Sequence, residues 1–515
     1  MNFLYPDNVR RLLSPVVVLA GGLILAQLIG SVLVYQSNLA LLHKLTLLRE
    51  AGVFPLPGMG VSPPLSSLSA ALAGGLYFTL SVGAGVVLLT MAADLLVAAA
   101  PRRFRKYLVI VLLCLWLVLL GWANLKGWCP GLSAYLLLLP GPVLWLNRRG
   151  WRRLAAAERL PWRRLFHLLL ILLLCAWWVT RIDSAVFVNI KDNLLLTSKA
   201  GNKLVHLYYR YTLYPAEAFK SLSQKQVKTC RLEGFADDER RKRLAETLAE
   251  HDYFVIDARP VDLVVSVQEG RRGDQLQLSC RDKAGLTVPA EVFPDTAGNY
   301  LGRVSSRCDV NAAFRNFTIF SLLGVAPLVL YLATFAVLAF IPGLFISPRL
   351  SSWLVPLLCC LFWAGVIFYV DTPPLRTADA EAAAQAMESG SRRERLAALR
   401  YIFNHRLEIT SFQGYRHLLE SGDFVQRYWL VRNLGHSRHP HGWQWISRFL
   451  DSDSSYLVCK AMEATAVRSS RSGREVPEEL EASLLEKLSL SDNWYVQLYA
   501  YKTLRSLGWL PVKSG

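Results

Sequence analysis

Three histidines, His436, His439 and His441, crowd into HSRHPHGWQW, and grouped imidazoles are a common start for a metal site. A tetrahedral ion would need a fourth ligand, which His405 or His417 could bring only through the fold. The spacing is irregular and no cysteine stands nearby, so the three read as solvent-facing loop residues, and no metal or cofactor is expected. Of the nine cysteines, Cys230, Cys280 and Cys308 share one polar stretch. No CxxC occurs, which argues against a thioredoxin-type site or a zinc ribbon. In an oxidising compartment the expected disulfide is Cys230 with Cys280, since both fall in predicted strands, leaving Cys308 free or paired elsewhere, for instance with Cys129. Cys359 and Cys360 lie in an apolar run and read as lipid- or helix-facing.

Ionisable groups inside apolar segments mark transporters and intramembrane enzymes, because they are costly there. Here such groups are few: Asp94 near one end of an apolar run, His167 near the start of another, and Gln27 in the first. Asp94 is close enough to the end to reach headgroups. No Ser-His-Asp arrangement, P-loop or HExxH is present, and the short outer loops offer one acid, Glu50. No catalytic residue is assigned. The glycines of ALAGGLYF and SVGAGVV point to close helix packing rather than a phosphate cradle.

The elements that carry these residues follow from hydropathy. The chain has 515 residues, 53% of them hydrophobic, and a mean hydropathy of +0.29, high for a soluble protein. Seven apolar runs approach the length of a spanning helix: residues 13–35, 69–92, 107–123, 131–146, 165–180, 317–341 and 352–370. The fourth is short and broken by Pro140, Gly141 and Pro142. Arginines 10 and 11, the cluster Arg102, Arg103, Arg105 and Lys106, and the seven arginines of NRRGWRRLAAAERLPWRR fall on one side if the runs alternate. The positive-inside rule makes that side cytoplasmic. The N-terminus is therefore expected inside, and residues 181–312 and 371–515 outside, in a multi-pass plasma (inner) membrane protein. Arg148, Arg149, Arg152, Arg153, Arg163 and Arg164 are the expected lipid-headgroup contacts. The net charge of +18 does not indicate nucleic acid. Residues 181–312 hold 20 basic and 18 acidic residues and 371–515 hold 19 and 17, so the excess lies in loops between apolar runs.

The expected architecture is a polytopic α-helical membrane protein with a small extracytoplasmic α/β domain and a C-terminal helical solenoid. Residues 1–180 form a membrane domain of about five spans, 181–312 the α/β domain, 313–371 two further spans, and 372–515 the solenoid. In the α/β domain, VKTCRLEG, YFVID, PVDLVVSVQEG and DQLQLSC read as strands and the stretch from Asp237 as a helix, giving the order β, α, β, β, β. Ahead of it, Tyr208, Tyr209, Tyr211 and Tyr214 cluster. They form either a contact surface for a partner or lipid headgroups, or aromatics that pack on the sheet and rest at the membrane interface.

After residue 371 the pattern becomes paired helices. Superposing the second helices puts Ala398, Trp429, Ala461 and Ala500 at equivalent places, and the last two units also match at Asp453 and Asp492 and at Tyr456 and Tyr495. DNWYVQLYAYKTLRSLGW and DFVQRYWLVRNLG resemble the second helices of HEAT-like repeats, over about residues 376–515. The resemblance implies a curved stack that binds proteins and has no chemistry of its own. A lone helix pair cannot bury its apolar face while stacked neighbours can, which leads to the same expectation. The expected function is an integral membrane scaffold or adaptor that holds envelope proteins, with Tyr208, Tyr209, Tyr211, Trp429 and Trp494 as partner surface. The alternatives are a transporter or channel component using Asp94, and a polytopic enzyme acting on a lipid-linked substrate near Glu50 and His43.

Overall fold

The computed structural model describes residues 6–58, 60–151, 162–183, 185–211, 217–257, 260–268, 274–280, 283–345, 348–370, 379–472 and 475–509. The chain divides into two compact units. One comprises residues 1–43, 65–182 and 214–366; the other comprises 44–64, 183–213 and 367–515. The division cuts through the expected 181–312 domain, because residues 183–213 pack with the C-terminal helices.

Among the described residues, five helices are long and apolar enough to cross a membrane: Val16–Glu50, Leu68–Ala98, Arg102–Ala123, Ala312–Ala339 and Trp353–Val370. The expected run 165–180 is a shorter apolar helix, Phe166–Thr180. The expected run 131–146 is two helices, Pro130–Leu138 and Pro140–Trp151. They break at Leu139 because Pro140 has no N–H to continue the ladder and its ring crowds the preceding turn.

In the first unit, small residues let the first two apolar helices touch. A Cβ on Gly30 would come within 3.1 Å of the Gly75 carbonyl oxygen, one on Gly75 within 2.8 Å of Ser31 N, and one on Gly83 would strike Ala26. Gly22, Ala26 and Gly30 recur every four residues, so one helix face carries the whole seam. Gln27 sits in it, donating to the Leu72 carbonyl at 2.8 Å and accepting from the Thr79 hydroxyl at 2.8 Å.

The same unit holds a five-stranded mixed sheet. Its strands are β1 (Lys228–Glu233), β2 (Tyr253–Val255), β3 (Leu263–Gln268), β4 (Gln275–Cys280) and β5 (Lys283–Pro289), in spatial order β2-β1-β3-β4-β5. β1 pairs parallel with β2 and β3, and β3-β4-β5 is an antiparallel meander. The helix Asp238–Glu250, capped by Asp237, packs Leu244 and Leu248 on the sheet, and the helix Phe293–Arg307 adds Phe293, Ala297, Leu301 and Val304. The first four strands and first helix match expectation; β5 and the second helix are additions.

Sheet order also corrects the disulfide. β3 lies between β1 and β4, so Cys230 and Cys280 sit two strand spacings apart, about 9–10 Å, beyond disulfide reach. Cys280 is instead bonded to Cys308, with Cα atoms 6.4 Å apart. Cys230 is fully buried, and burial, with Asp262 nearby, pushes its thiol up to about 12.

The second unit stacks four helix pairs: Ala380–Glu388 with Arg392–Asn404, Tyr415–Leu419 with Phe424–Leu434, Gly442–Leu450 with Ser455–Ser472, and Glu478–Leu490 with Trp494–Ser506. The second helices of successive pairs pack on one another. A serine turn precedes each of them. The hydroxyls of Ser389, Ser421, Ser452 and Ser491 accept from the backbone N–H two residues on, at 3.0, 3.1, 3.2 and 3.2 Å. Ser391, Asp423 and Asn493 then cap their helices. Counted from these turns, the equivalent buried positions are Ala398, Leu430, Ala461 and Ala500, all at 0% exposure. Leu430 thus stands where the expected alignment has Trp429, one residue earlier, because the serine turns SGD and SDN set the register.

Candidate interaction site on the stacked helices

The second helices present polar and aromatic side chains to residues 186–211 of the same unit. That segment is a short helix, Val186–Asn189, a π-helical stretch, Ile190–Leu195, and a helix, Lys199–Tyr211. Gly201 opens the last of these where a Cβ would run into the Leu195 carbonyl oxygen, so the close turn requires glycine.

Asp192 is the anchor. Its carboxylate has no solvent exposure, accepts from Arg400 Nη2 at 2.7 Å and Trp429 Nε1 at 2.8 Å, and lies 3.5 Å from Lys191 Nζ. A buried carboxylate is tolerated only with such pairing. Flanking it, Arg400 Nη1 donates to Asn189 Oδ1 at 2.6 Å and Asn193 Nδ2 to the Val370 carbonyl at 2.7 Å.

Lys191 donates to the Tyr456 hydroxyl at 2.7 Å and the Tyr428 hydroxyl at 3.2 Å, and its ammonium lies 4.3 Å from the Tyr428 ring centroid. Burial would push the Tyr428 phenol up, but the charges of Lys191, Lys460 and Arg432 outweigh it and bring it below the ordinary tyrosine value. Tyr456 goes the other way: burial raises it, and Tyr428, Tyr209 and Tyr495 add to the rise. Of the pair, Tyr428 is the more acidic. One helical repeat on, Tyr209 lies between Tyr456 and Tyr495, with centroids 5.2 and 4.7 Å away, and its carbonyl accepts from Trp494 Nε1 at 3.0 Å. Arg210 Nη2 meets Asp492 at 3.2 Å, and the Gly58 amide donates to Gln497 Oε1 at 2.8 Å.

Tyr209, Trp429 and Trp494, expected as partner surface, are therefore engaged by the chain itself, and the two tryptophans are nearly buried. Tyr209 packs on helices rather than on the sheet. Tyr208 is exposed and Tyr211 half-buried; Tyr214 lies outside the described residues. Asp192, Lys191, Arg400 and Tyr428 were not singled out from sequence. The one signal was the KDN triplet just beyond an apolar run, too common to stand out. Beside the docked segment lie a cavity of about 250 Å³, walled partly by Asn202, His206 and Tyr209, and a cleft of about 440 Å³ where His206 and Arg210 face Asp451, Asp453 and Asp492.

The other expected residues fall elsewhere. His439 stacks on Trp445 with centroids 4.8 Å apart, His441 Nδ1 lies 3.0 Å from Gln444 Oε1, and His436 meets Arg471. Arg468, fully buried, holds this loop by donating to the Ser437 and His439 carbonyls. Among the described residues no group of three or more His, Cys, Asp or Glu side chains is placed to hold a metal. In the first unit, Asp94 accepts from Asn147 Nδ2 at 2.8 Å and pairs with Arg148 at 3.3 Å. His167 lies 2.9 Å from the Tyr331 hydroxyl. Arg149, Arg152, Arg153, Arg163 and Arg164 lie outside the residues whose side chains are described.

No protein-family model matches this chain, and neither a curated protein nor a solved structure shows significant similarity to it.

Proposed function

We propose that the protein is an integral membrane scaffold or adaptor, whose stacked, HEAT-like helix pairs bind protein segments at the membrane surface. The observation that supports this is intramolecular: the stack holds a segment of its own chain. It grips residues 186–211 through Asp192, Lys191 and Tyr209, with a buried charge, a lysine between two phenols and an aromatic sandwich. These are the recognition elements of protein interfaces, and no covalent step is built from them.

The same unit bears on topology. The described parts of residues 44–64, 183–213 and 367–515 belong to one compact unit, which supports a reading in which their polar portions share one side of a bilayer. The charge pattern supports an outer position for the first two with the N-terminus cytoplasmic, and alternation of the last two spans extends it to the third. Two long apolar helices, Leu68–Ala98 and Arg102–Ala123, separate the first two segments, and on this reading the two-part helix 130–151 and the helix Phe166–Thr180 either both cross or neither crosses. The Cys280–Cys308 disulfide supports an oxidising compartment for the sheet.

Photocrosslinking residues placed at Leu490, 76% exposed, and Leu485 on the last helix pair test the reading in intact cells. Discrete protein adducts at these positions are expected. Uniform absence of protein adducts overturns the scaffold reading.

A further inference from the structure

The helix Lys199–Tyr211 has a broad apolar face, and the docked stack covers only part of it. Gly201 and Val205 are buried and Tyr209 packs between tyrosines. Beside that buried face, about a quarter-turn round the helix, Leu204, Leu207 and Tyr208 are 55%, 49% and 46% exposed, at positions i, i+3 and i+4. Lys199 and Lys203, one turn apart and both exposed, border this stripe. An apolar strip edged by lysines, with a tyrosine to bridge wet and dry surroundings, is the pattern of a helix lying in a headgroup layer. Chain length favours the same occupant: Asn193, whose side-chain amide donates to the Val370 carbonyl at the end of the long apolar helix Trp353–Val370, stands a few residues before Lys199, so on the spanning reading the segment is tethered near a bilayer.

We propose that Lys199–Tyr211 is an interfacial membrane helix, which seats Leu204, Leu207 and Tyr208 among the headgroups and upper acyl chains of anionic phospholipid while Val205 and Tyr209 hold the stacked helices. This rests on the membrane-spanning reading above. The helix thus joins two surfaces, fixing how the binding stack is presented over the lipid.

The test uses the full chain in nanodiscs of phosphatidylethanolamine and phosphatidylglycerol, with a dansyl-bearing noncanonical residue at one position at a time. Quenching is read from lipids carrying a nitroxide either near the top of the acyl chain or near its end. At Leu204 the shallow nitroxide should quench about twofold more strongly than the deep one. At His206, on the side of the helix turned toward the Asp451–Asp492 cleft, neither should quench appreciably. A probe at Leu115, 59% exposed in the helix Arg102–Ala123, reports separately on spanning through quenching by the deep nitroxide. Leu204 quenched no more than His206, with Leu115 quenched, overturns the interfacial helix and leaves the spans intact. Leu115 unquenched overturns the spanning reading; shallow quenching at Leu204 would then still support surface attachment, and its absence would remove both.

Discussion

Replacing Asp192 by asparagine isolates the charge that holds residues 186–196 on the stacked helices. Asparagine keeps the shape and leaves Trp429 Nε1 an oxygen acceptor, so the loss is that of the negative charge opposite Arg400 and Lys191. The Arg400 side chain is only 14% exposed, and its guanidinium would remain in place unneutralised. Breaking a buried pair from one side costs about 3–5 kcal/mol. At about 1.4 kcal/mol per factor of ten, local opening should rise about a hundredfold to a few thousandfold. Hydrogen exchange of the full chain in nanodiscs, followed by mass spectrometry on peptides covering 186–196, reads this directly, since amide exchange tracks the opening equilibrium. Trp429→Phe removes one hydrogen bond and keeps the ion pair, so it should raise exchange less than Asp192→Asn does, by about tenfold. Replacing both Asp192 and Arg400 by leucine should recover part of the loss, because the buried guanidinium goes with the carboxylate and only Lys191 keeps a charge, still held by the Tyr428 and Tyr456 hydroxyls. Exchange that rises less than about tenfold in Asp192→Asn, or that is as fast in the double leucine variant, would refute the claim that paired buried charge secures the segment.

Three further outcomes follow. Burial pushes the Glu408 carboxyl up, but hydrogen bonds from the Ser437 hydroxyl, the Arg438 amide and the Thr410 hydroxyl outweigh it and hold it below its usual value of 4.5. A depressed carboxylate contributes stability that is complete above the unfolded value and lost as pH falls through the folded one. Thermal melts of the wild type should therefore drop below about pH 4.5 more steeply than those of Glu408→Gln. Cys308→Ser should abolish a cross-linked peptide pair seen by non-reducing mass spectrometry and cost about 2–4 kcal/mol, whereas Cys230→Ser should leave that pair intact. Gly201→Ala should raise protease cutting between residues 186 and 211, because the new methyl meets the Leu195 carbonyl; unchanged cutting would show that the turn relaxes freely.

Much of the architecture could be read before any coordinates. Apolar runs of about twenty residues gave the long helices, since a bilayer-length stretch of leucine and valine has few other fates. Strict alternation gave β1, β3 and β4, and Gly75 and Gly83 marked a close helix crossing. Pro140 announced the break between two short helices. The four helix pairs are legible too, but apolar spacing alone leaves their register free by one residue at Trp429, and the serine turns before each second helix fix it.

What local pattern could not supply was which distant segments meet. Cys230 and Cys280 both lie on strands, and only the order β2-β1-β3-β4-β5 shows another strand between them. Residues 183–213 follow one apolar helix and precede the sheet, yet pack with helices some two hundred residues later. Hydrophobic period is set by the geometry of a single element and is written in neighbouring residues. The pairing of Asp192 with Arg400 depends on desolvating two charges at once, and nothing in either residue's neighbourhood records the partner.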